Sequence, residues 1–159
     1  MTPGYVLRPA TPADAAVLAA QRRAMFEALG QVDGRAGTEL EAATRRYIEQ
    51  ALPAGSYYAW LVEAGAAAVA GGGVQLRPLV PRPGYVHDDV EGLILSMWTE
   101  PGHRRRGLAA GVLEAILTWS ETRGLRRLTL HASAMGRPLY TRYGFTSTNE
   151  MRFERDVNL

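Results

Sequence analysis

Leu93-Ile94-Leu95-Ser96-Met97-Trp98-Thr99-Glu100-Pro101-Gly102-His103-Arg104-Arg105-Arg106-Gly107-Leu108-Ala109-Ala110 runs from an apolar stretch through a turn into a helix opening. Glu91 to Thr99 is apolar at most positions, as a strand covered on both faces is. Pro101 and Gly102 mark the turn. From about Gly107 to Arg123, Leu108, Val112, Ile116 and Trp119 share one helical face, and Gly124 supplies a stop. A helix start carries unpaired amide N–H groups and the positive end of the helix dipole, which suits a phosphate. Three arginines flank this one. Gly107 lets a ligand reach the backbone without a Cβ in the way, and Ala109 and Ala110 keep the first turn slim. A pyrophosphate fits such a cradle, although the same letters taken alone also occur on solvated surfaces.

Upstream, Tyr5 to Arg8 reads as a short strand. Thr11, Pro12 and Asp14 then give an N-cap, a first-turn proline and a first-turn acid for a helix that Gly30 ends. Ala15, Leu18, Met25, Phe26 and Leu29 give that helix its apolar side. Thr38 and Glu41 have capping-box spacing and predict a second helix that stops before Pro53, with Gln31 to Gly37 as the loop between. Tyr57 to Glu63 and Ala66 to Leu76 predict a hairpin turning at Ala64 and Gly65. Gly71, Gly72 and Gly73 predict a bulge or a close backbone approach in the return strand, and Pro78, Pro81 and Pro83 a loop. Downstream, Leu125 to His131 alternates as a strand does, a short helix runs from Arg137 to Tyr143 and stops at Gly144, and Phe145 to Val157 supplies closing strands. The order describes a mixed sheet with helices on its faces, an α+β arrangement in a single domain spanning residues 1–159.

Composition narrows the chemistry. With no cysteine there is no disulfide, thiolate metal site or cysteine nucleophile. All 18 Lys+Arg residues are arginine, which excludes Schiff-base and lysine general-base mechanisms. A Walker loop would need lysine, and no Gly-x-Gly-x-x-Gly follows a strand. Neither a leader-like start at Met1 to Ala10 nor a membrane-length apolar run is evident, so a soluble, cytoplasmic protein is expected. The net charge of +2 is modest, yet Arg104, Arg105, Arg106, Arg123, Arg126, Arg127, Arg137 and Arg142 cluster in the second half. That clustering suits an anionic ligand. Nucleic acid would need accessible aromatics interleaved with those arginines, and the sequence has no such interleaving.

Arg104-Arg105-Arg106-Gly107-Leu108-Ala109 matches Gln/Arg-x-x-Gly-x-Gly/Ala, and Leu139-Tyr140-Thr141-Arg142-Tyr143-Gly144-Phe145 matches a leucine-tyrosine to glycine-phenylalanine signature. With the strand exit at Trp98-Thr99-Glu100-Pro101, these resemble the GNAT superfamily of acyl-CoA N-acyltransferases over Leu93 to Phe145. The resemblance implies a three-layer α/β/α fold of the α+β class. Its sheet would be mixed, mostly antiparallel and twisted, with six to seven strands and about four helices, splayed between two central parallel strands. It further implies acetyl-CoA as co-substrate, no metal, and a small-molecule or peptide amine as acceptor, with no nucleic-acid or membrane partner. A homodimer is left open.

Residue by residue, the resemblance gives Arg104, Arg105, Arg106, Gly107, Leu108, Ala109 and Ala110 to the pyrophosphate. Met97, Trp98 and Thr99 fall to the pantetheine arm. The Met97 N–H would also polarise the thioester carbonyl, and Tyr140 would protonate the departing thiolate. Many relatives carry asparagine and then alanine ahead of that tyrosine, where this chain has Ser133 and Gly136. Ser133 is thus either a pantetheine contact or only the cap of the next helix. Asp88, Asp89, Glu91, His131 or water is left as the general base. Tyr47, Tyr57, Tyr58 and Trp60 are candidates for the acceptor pocket or the core. A CoA-binding module without transfer activity is the alternative within the same resemblance.

Overall fold

A computed structural model describes residues 2–155. Five strands, β1 (Tyr5–Pro9), β2 (Tyr57–Ala64), β3 (Ala67–Pro78), β4 (Val90–Thr99) and β5 (Leu128–Leu130), lie side by side in chain order. The first four pair antiparallel, and β5 joins β4 in parallel. Helices α1 (Ala15–Ala28) and α2 (Gly34–Ala54) separate β1 from β2 in sequence, α3 (Leu108–Thr122) crosses from β4 to β5, and α4 (Arg137–Arg142) follows. A parallel pair requires a crossover of this kind.

Alternation along β2 divides the core between two faces. Tyr57, Ala59 and Leu61 pack with Ala15 and Leu18 of α1 and with Ile48 and Ala51 of α2. Trp60 and Val62 turn the other way and join Val112, Leu113 and Ile116 of α3. Successive strand side chains leave on opposite faces, so one strand serves both helical layers. Each large apolar side chain buried this way contributes about 1.5 to 3 kcal/mol.

Helix ends follow local chemistry more closely than helix starts. At the end of α3 the Leu125 N–H donates to the Ser120 carbonyl and the Gly124 N–H to that of Glu121, with Gly124 at φ 70°. This left-handed cap draws Leu125 into the helix end, and β5 begins only at Leu128 and is three residues long. The second helix opens at Gly34 instead of Thr38, because Asp33 in extended backbone accepts the first helical bond from Gly37. Thr38 bonds back to the Gly34 carbonyl, and Glu41 pairs with Arg23 of α1 at 3.1 Å. Pro53 lies inside the last turn of α2 because its fixed φ is already helical, and Gly55 ends the helix. The hairpin turn falls at Gly65 and Ala66.

The expected six to seven strands are corrected to five among the described residues. No strand forms over residues 145–155, and Val157 lies outside the described residues. The physical reason is visible in the segment itself. Met151 and Phe153 alternate but stay exposed, while Arg152 sits near Glu150 and Glu154. Neither apolar side chain finds a face to cover.

The entry to α1 is held by charge. Asp14 accepts the Thr11 N–H at 2.7 Å and two bonds from the Arg8 guanidinium at 2.8 and 2.9 Å. Arg8 also reaches Glu63 of β2 at 2.8 Å. The guanidinium holds the Asp14 carboxyl below its usual range, at about 2. A depressed acid stabilises the fold above its unfolded value of about 3.8 and loses that contribution as pH falls through its folded value. Asp14→Asn is therefore expected to cost about 1 to 2 kcal/mol at neutral pH, partly screened by solvent. Melting curves should show a loss of about 2 to 8 °C that shrinks as pH drops from 4 towards 2. A loss independent of pH would contradict the ion-pair account.

Candidate functional site

The pairing of β4 with β5 covers only Gly92 to Ile94 against Leu128 to Leu130. From Leu95 to Thr99, β4 has no neighbour on that edge among the described residues, while it remains paired with β3 on the other. The sheet is therefore split along the second half of β4, at the carboxyl end of its two parallel strands. Ligands of open α/β sheets enter at such ends. The loop that leads from β4 into α3 and the loop after β5 both leave from that end, and Met97 of β4 and Tyr140 of α4 pack against the same core cluster.

At the start of α3 the first helical bond runs from the Gly111 N–H to the Gly107 carbonyl, 3.0 Å. The amides of Arg105, Arg106, Gly107, Leu108, Ala109 and Ala110 have no protein acceptor among the described residues, and no side chain caps the helix. Arg105 and Gly107 are left-handed, at φ 62° and 77°. For the arginine this conformation costs about 1 to 2 kcal/mol, strain of the sort found at binding loops. Such turns gather successive N–H groups into a concave anion site. Leu108 is buried in the α3 core and anchors the turn, so its amide is fixed in place. Arg105 and Arg106 are exposed. Arg104 is committed elsewhere, donating to the Thr99 carbonyl at 3.0 Å and lying over the Trp98 ring. It ties the loop to the strand.

The three glycines mark a close approach at the middle of the split, and the extra residue of the bulge there lies in β4, not in the return strand. Gly73 opposes Leu95 and Gly71 opposes Trp98, so Gly72 faces both Ser96 and Met97. Ser96 takes φ 57° there. A Cβ on Gly72 would run into Met97 Sδ and would lie 3.0 Å from Val112. The missing side chain thus lets Met97 pack towards α3.

Tyr140 projects from α4 beside Phe145, ring centroids 6.0 Å apart. Burial raises its hydroxyl above the usual range. It therefore keeps its proton at neutral pH, and the hydroxyl has no bonding partner among the described residues. Gly136 leaves room for the ring, since a Cβ there would lie 2.9 Å from Tyr140 Cε2. Ser133 Oγ accepts the Gly136 N–H at 3.1 Å and so serves the turn ahead of α4, with its own O–H still free.

The candidates for a base are dispersed. Glu91 is buried between Arg77 at 2.7 Å and Arg127 at 3.2 Å, six residues before Met97, roughly 20 Å along the strand. Asp88 lies 3.8 Å from Arg126 and Asp89 is exposed, both in the loop before β4. His131 follows β5, but its ring faces Arg152 and Glu150. Glu100 accepts the Trp98 indole N–H at 3.0 Å.

On the α1 and α2 face of the same bulge lies a cavity of about 230 Å³ lined by Arg22, Thr44, Tyr47, Ile48, Tyr57, Gln75 and Leu95. Arg22 donates to Ser96 Oγ at 2.8 Å. Burial pushes the Tyr57 hydroxyl up to about 12, against the pull of Arg22 and Ser96. Of the four aromatics considered from sequence, Tyr47 and Tyr57 line the cavity, whereas Tyr58 and Trp60 pack on Trp119. Strand alternation carries that distinction for Tyr57 and Trp60. Arg22 and Ser96 carry no such signal, since their pairing spans 74 residues. Gly73→Ala would drive a Cβ into the buried Tyr57 hydroxyl. It is expected to cost about 1 to 3 kcal/mol, readable as a lower melting temperature. An unchanged melting temperature would mean that Tyr57 is free to move.

Among the described residues no cluster of ligating side chains could hold a metal, and no helix is long and apolar enough to cross a membrane. The model of the acetyltransferase (GNAT) family matches residues 23–145. A GCN5-related N-acetyltransferase from Ralstonia eutropha JMP134 is 32% identical, with 96% of this chain and 99% of that one covered and a TM-score of 0.87. A "predicted acetyltransferase" from Clostridium acetobutylicum, solved with acetyl-CoA, shares the fold at 24% identity, 95% and 96% coverage and a TM-score of 0.86. So does an aminoglycoside N-acetyltransferase in complex with CoA, at 16% identity, 98% and 99% coverage and 0.72. No curated protein matches the chain.

Proposed function

Because the chain belongs to the acetyltransferase (GNAT) family, we propose that it transfers an acetyl group from acetyl-CoA to the primary amine of a small molecule or peptide by direct attack in a ternary complex. The observation that carries this reading is the run of uncapped amides from Arg105 to Ala110, set at the mouth of a sheet split along Leu95 to Thr99. Solved relatives in complex with acetyl-CoA and with CoA support it.

Acetyl-CoA supplies a thioester-activated acetyl group. The amides of Arg105 to Ala110 hold the diphosphate, and the exposed Arg105 and Arg106 add charge around it. Backbone groups at Met97 and Thr99 pair with the pantetheine arm along the unpaired edge of β4, with Trp98 between them and the Ser133 hydroxyl across the split. The Met97 N–H faces the carbonyl oxygen, where negative charge develops during attack. The Tyr140 hydroxyl gives its proton to the departing sulfur. Among the described residues no carboxylate lines the cavity, and in this reading the acceptor amine releases its proton to water. The test is thiol release from acetyl-CoA across a panel of amines, amino acids, aminoglycosides and peptides. Turnover with one class supports the reading, and acetyl-CoA binding without turnover on any would favour a CoA-binding module.

A further inference from the structure

Arg22 is the cation that the fold does not neutralise at this site. It is half-buried on α1 and forms no ion pair among the described residues, although neighbouring Arg23 pairs with both Glu27 and Glu41. One N–H is spent on Ser96 Oγ, and the face of Phe26 lies 4.9 Å from the guanidinium carbon. The remaining donors belong to a side chain that lines the cavity. Burial disfavours the charge, but a guanidinium stays protonated at any physiological pH. A partly desolvated, permanently charged group without a counter-ion is stabilised when a ligand supplies the opposite charge.

The neighbours of Arg22 point the same way. Gln75 Nε2 donates to the Tyr47 hydroxyl oxygen at 3.1 Å, which leaves the Tyr47 O–H free to donate in turn. Among the described residues no carboxylate side chain lines the cavity, while Ile48 and Leu95 give it an apolar wall. Its volume of about 230 Å³ falls below the roughly 300 to 1,000 Å³ of sites for drug-sized ligands. One guanidinium with one hydroxyl suits the single negative charge and two oxygens of a carboxylate, whereas a phosphate dianion would meet only one cation. We propose that the acceptor is a small amine bearing one carboxylate, an amino acid by chemical class, whose carboxylate is held by Arg22 with help from Tyr47. The inference rests on the acetyltransferase reading and narrows it. The Ser96 bond sets the guanidinium one residue from the Met97 amide, so an acceptor gripped there presents its nitrogen towards the split.

Free amino acids and their carboxamides differ only at the group in question, and the less basic amine of the amide biases the comparison against the proposal. In thiol-release kinetics, kcat/KM for the preferred amino acid should exceed that for its amide by about 10- to 100-fold. Arg22→Gln should bring the ratio to within about threefold, and Arg22→Lys should keep part of it, with the melting response to acetyl-CoA as the folding control for both. Calorimetry on the CoA-saturated protein gives an independent readout, in which an N-acetyl amino acid should bind at least about tenfold tighter than its amide. Amides or amino-sugar phosphates used as well as free acids, or a ratio that survives Arg22→Gln, would overturn the inference while leaving the acetyltransferase reading intact. Absence of any melting response to acetyl-CoA would overturn both.

Discussion

Gly107→Glu should abolish the rise in melting temperature that acetyl-CoA produces in the parent protein. At about 100 times its dissociation constant a ligand adds about 2.7 kcal/mol to the folded state, a rise of roughly 5 to 11 °C for a chain of this size. Gly107 stands at φ 77° at the head of α3, where its amide and those of its neighbours are uncapped. A glutamate there places a carboxylate beside the same donors and repels a diphosphate, besides straining the left-handed backbone by about 1 to 2 kcal/mol. The variant should therefore melt a few degrees lower and show no response to the cofactor. Gly107→Ala carries the strain without the charge and should keep part of the response. A full response in Gly107→Glu would mean that acetyl-CoA binds elsewhere.

Tyr140→Phe should lower kcat by about 100-fold, within the usual range for losing a general acid, while the KM for acetyl-CoA changes by less than about threefold. The hydroxyl has no bonding partner among the described residues, so its removal costs the fold little. Burial raises its ionisation above the ordinary tyrosine range, so the proton is present throughout the neutral and mildly alkaline region. No loss of rate from tyrosine ionisation is expected there. Steady-state kinetics checks both statements, and an unchanged kcat would remove Tyr140 from proton transfer. Equal losses in kcat and in cofactor affinity would make it a binding residue instead.

Local chemistry explains which parts of this molecule were legible in the sequence. The strand, loop and helix from Glu91 to Arg123 follow from apolar continuity, Pro101 with Gly102, and helical spacing, signals that tertiary contacts reinforce. The stops at Gly30, Gly124 and Gly144 are where helices end, each glycine standing just past its helix with positive φ. Gly71 to Gly73 foretold a bulge or a close approach in β3; the approach is there, at Met97 and Tyr57, while the bulge falls in the facing β4.

Long-range pairing explains what was not legible. Thr38 and Glu41 have the letters of a capping box, but Glu41 serves Arg23 on the neighbouring helix. Asp33 opens α2 instead. Met151 and Phe153 alternate like strand residues, yet both are exposed with nothing to cover, while Phe145 at the head of the segment packs beside Tyr140 without forming a strand. Arg22 looks like a solvated helix residue until folding brings Ser96, Tyr47 and Tyr57 around it. Glu91 looks like a base beside the central strand, and the fold turns it into the partner of Arg77 and Arg127.

Backbone amide shifts followed by nuclear magnetic resonance during titration with CoA test the binding of the diphosphate at its point of contact. The amides of Arg105 to Ala110 should move together and saturate at one stoichiometric equivalent, with Met97 and Thr99 responding alongside them. Saturable shifts confined to other residues, with this run unmoved, would contradict the account.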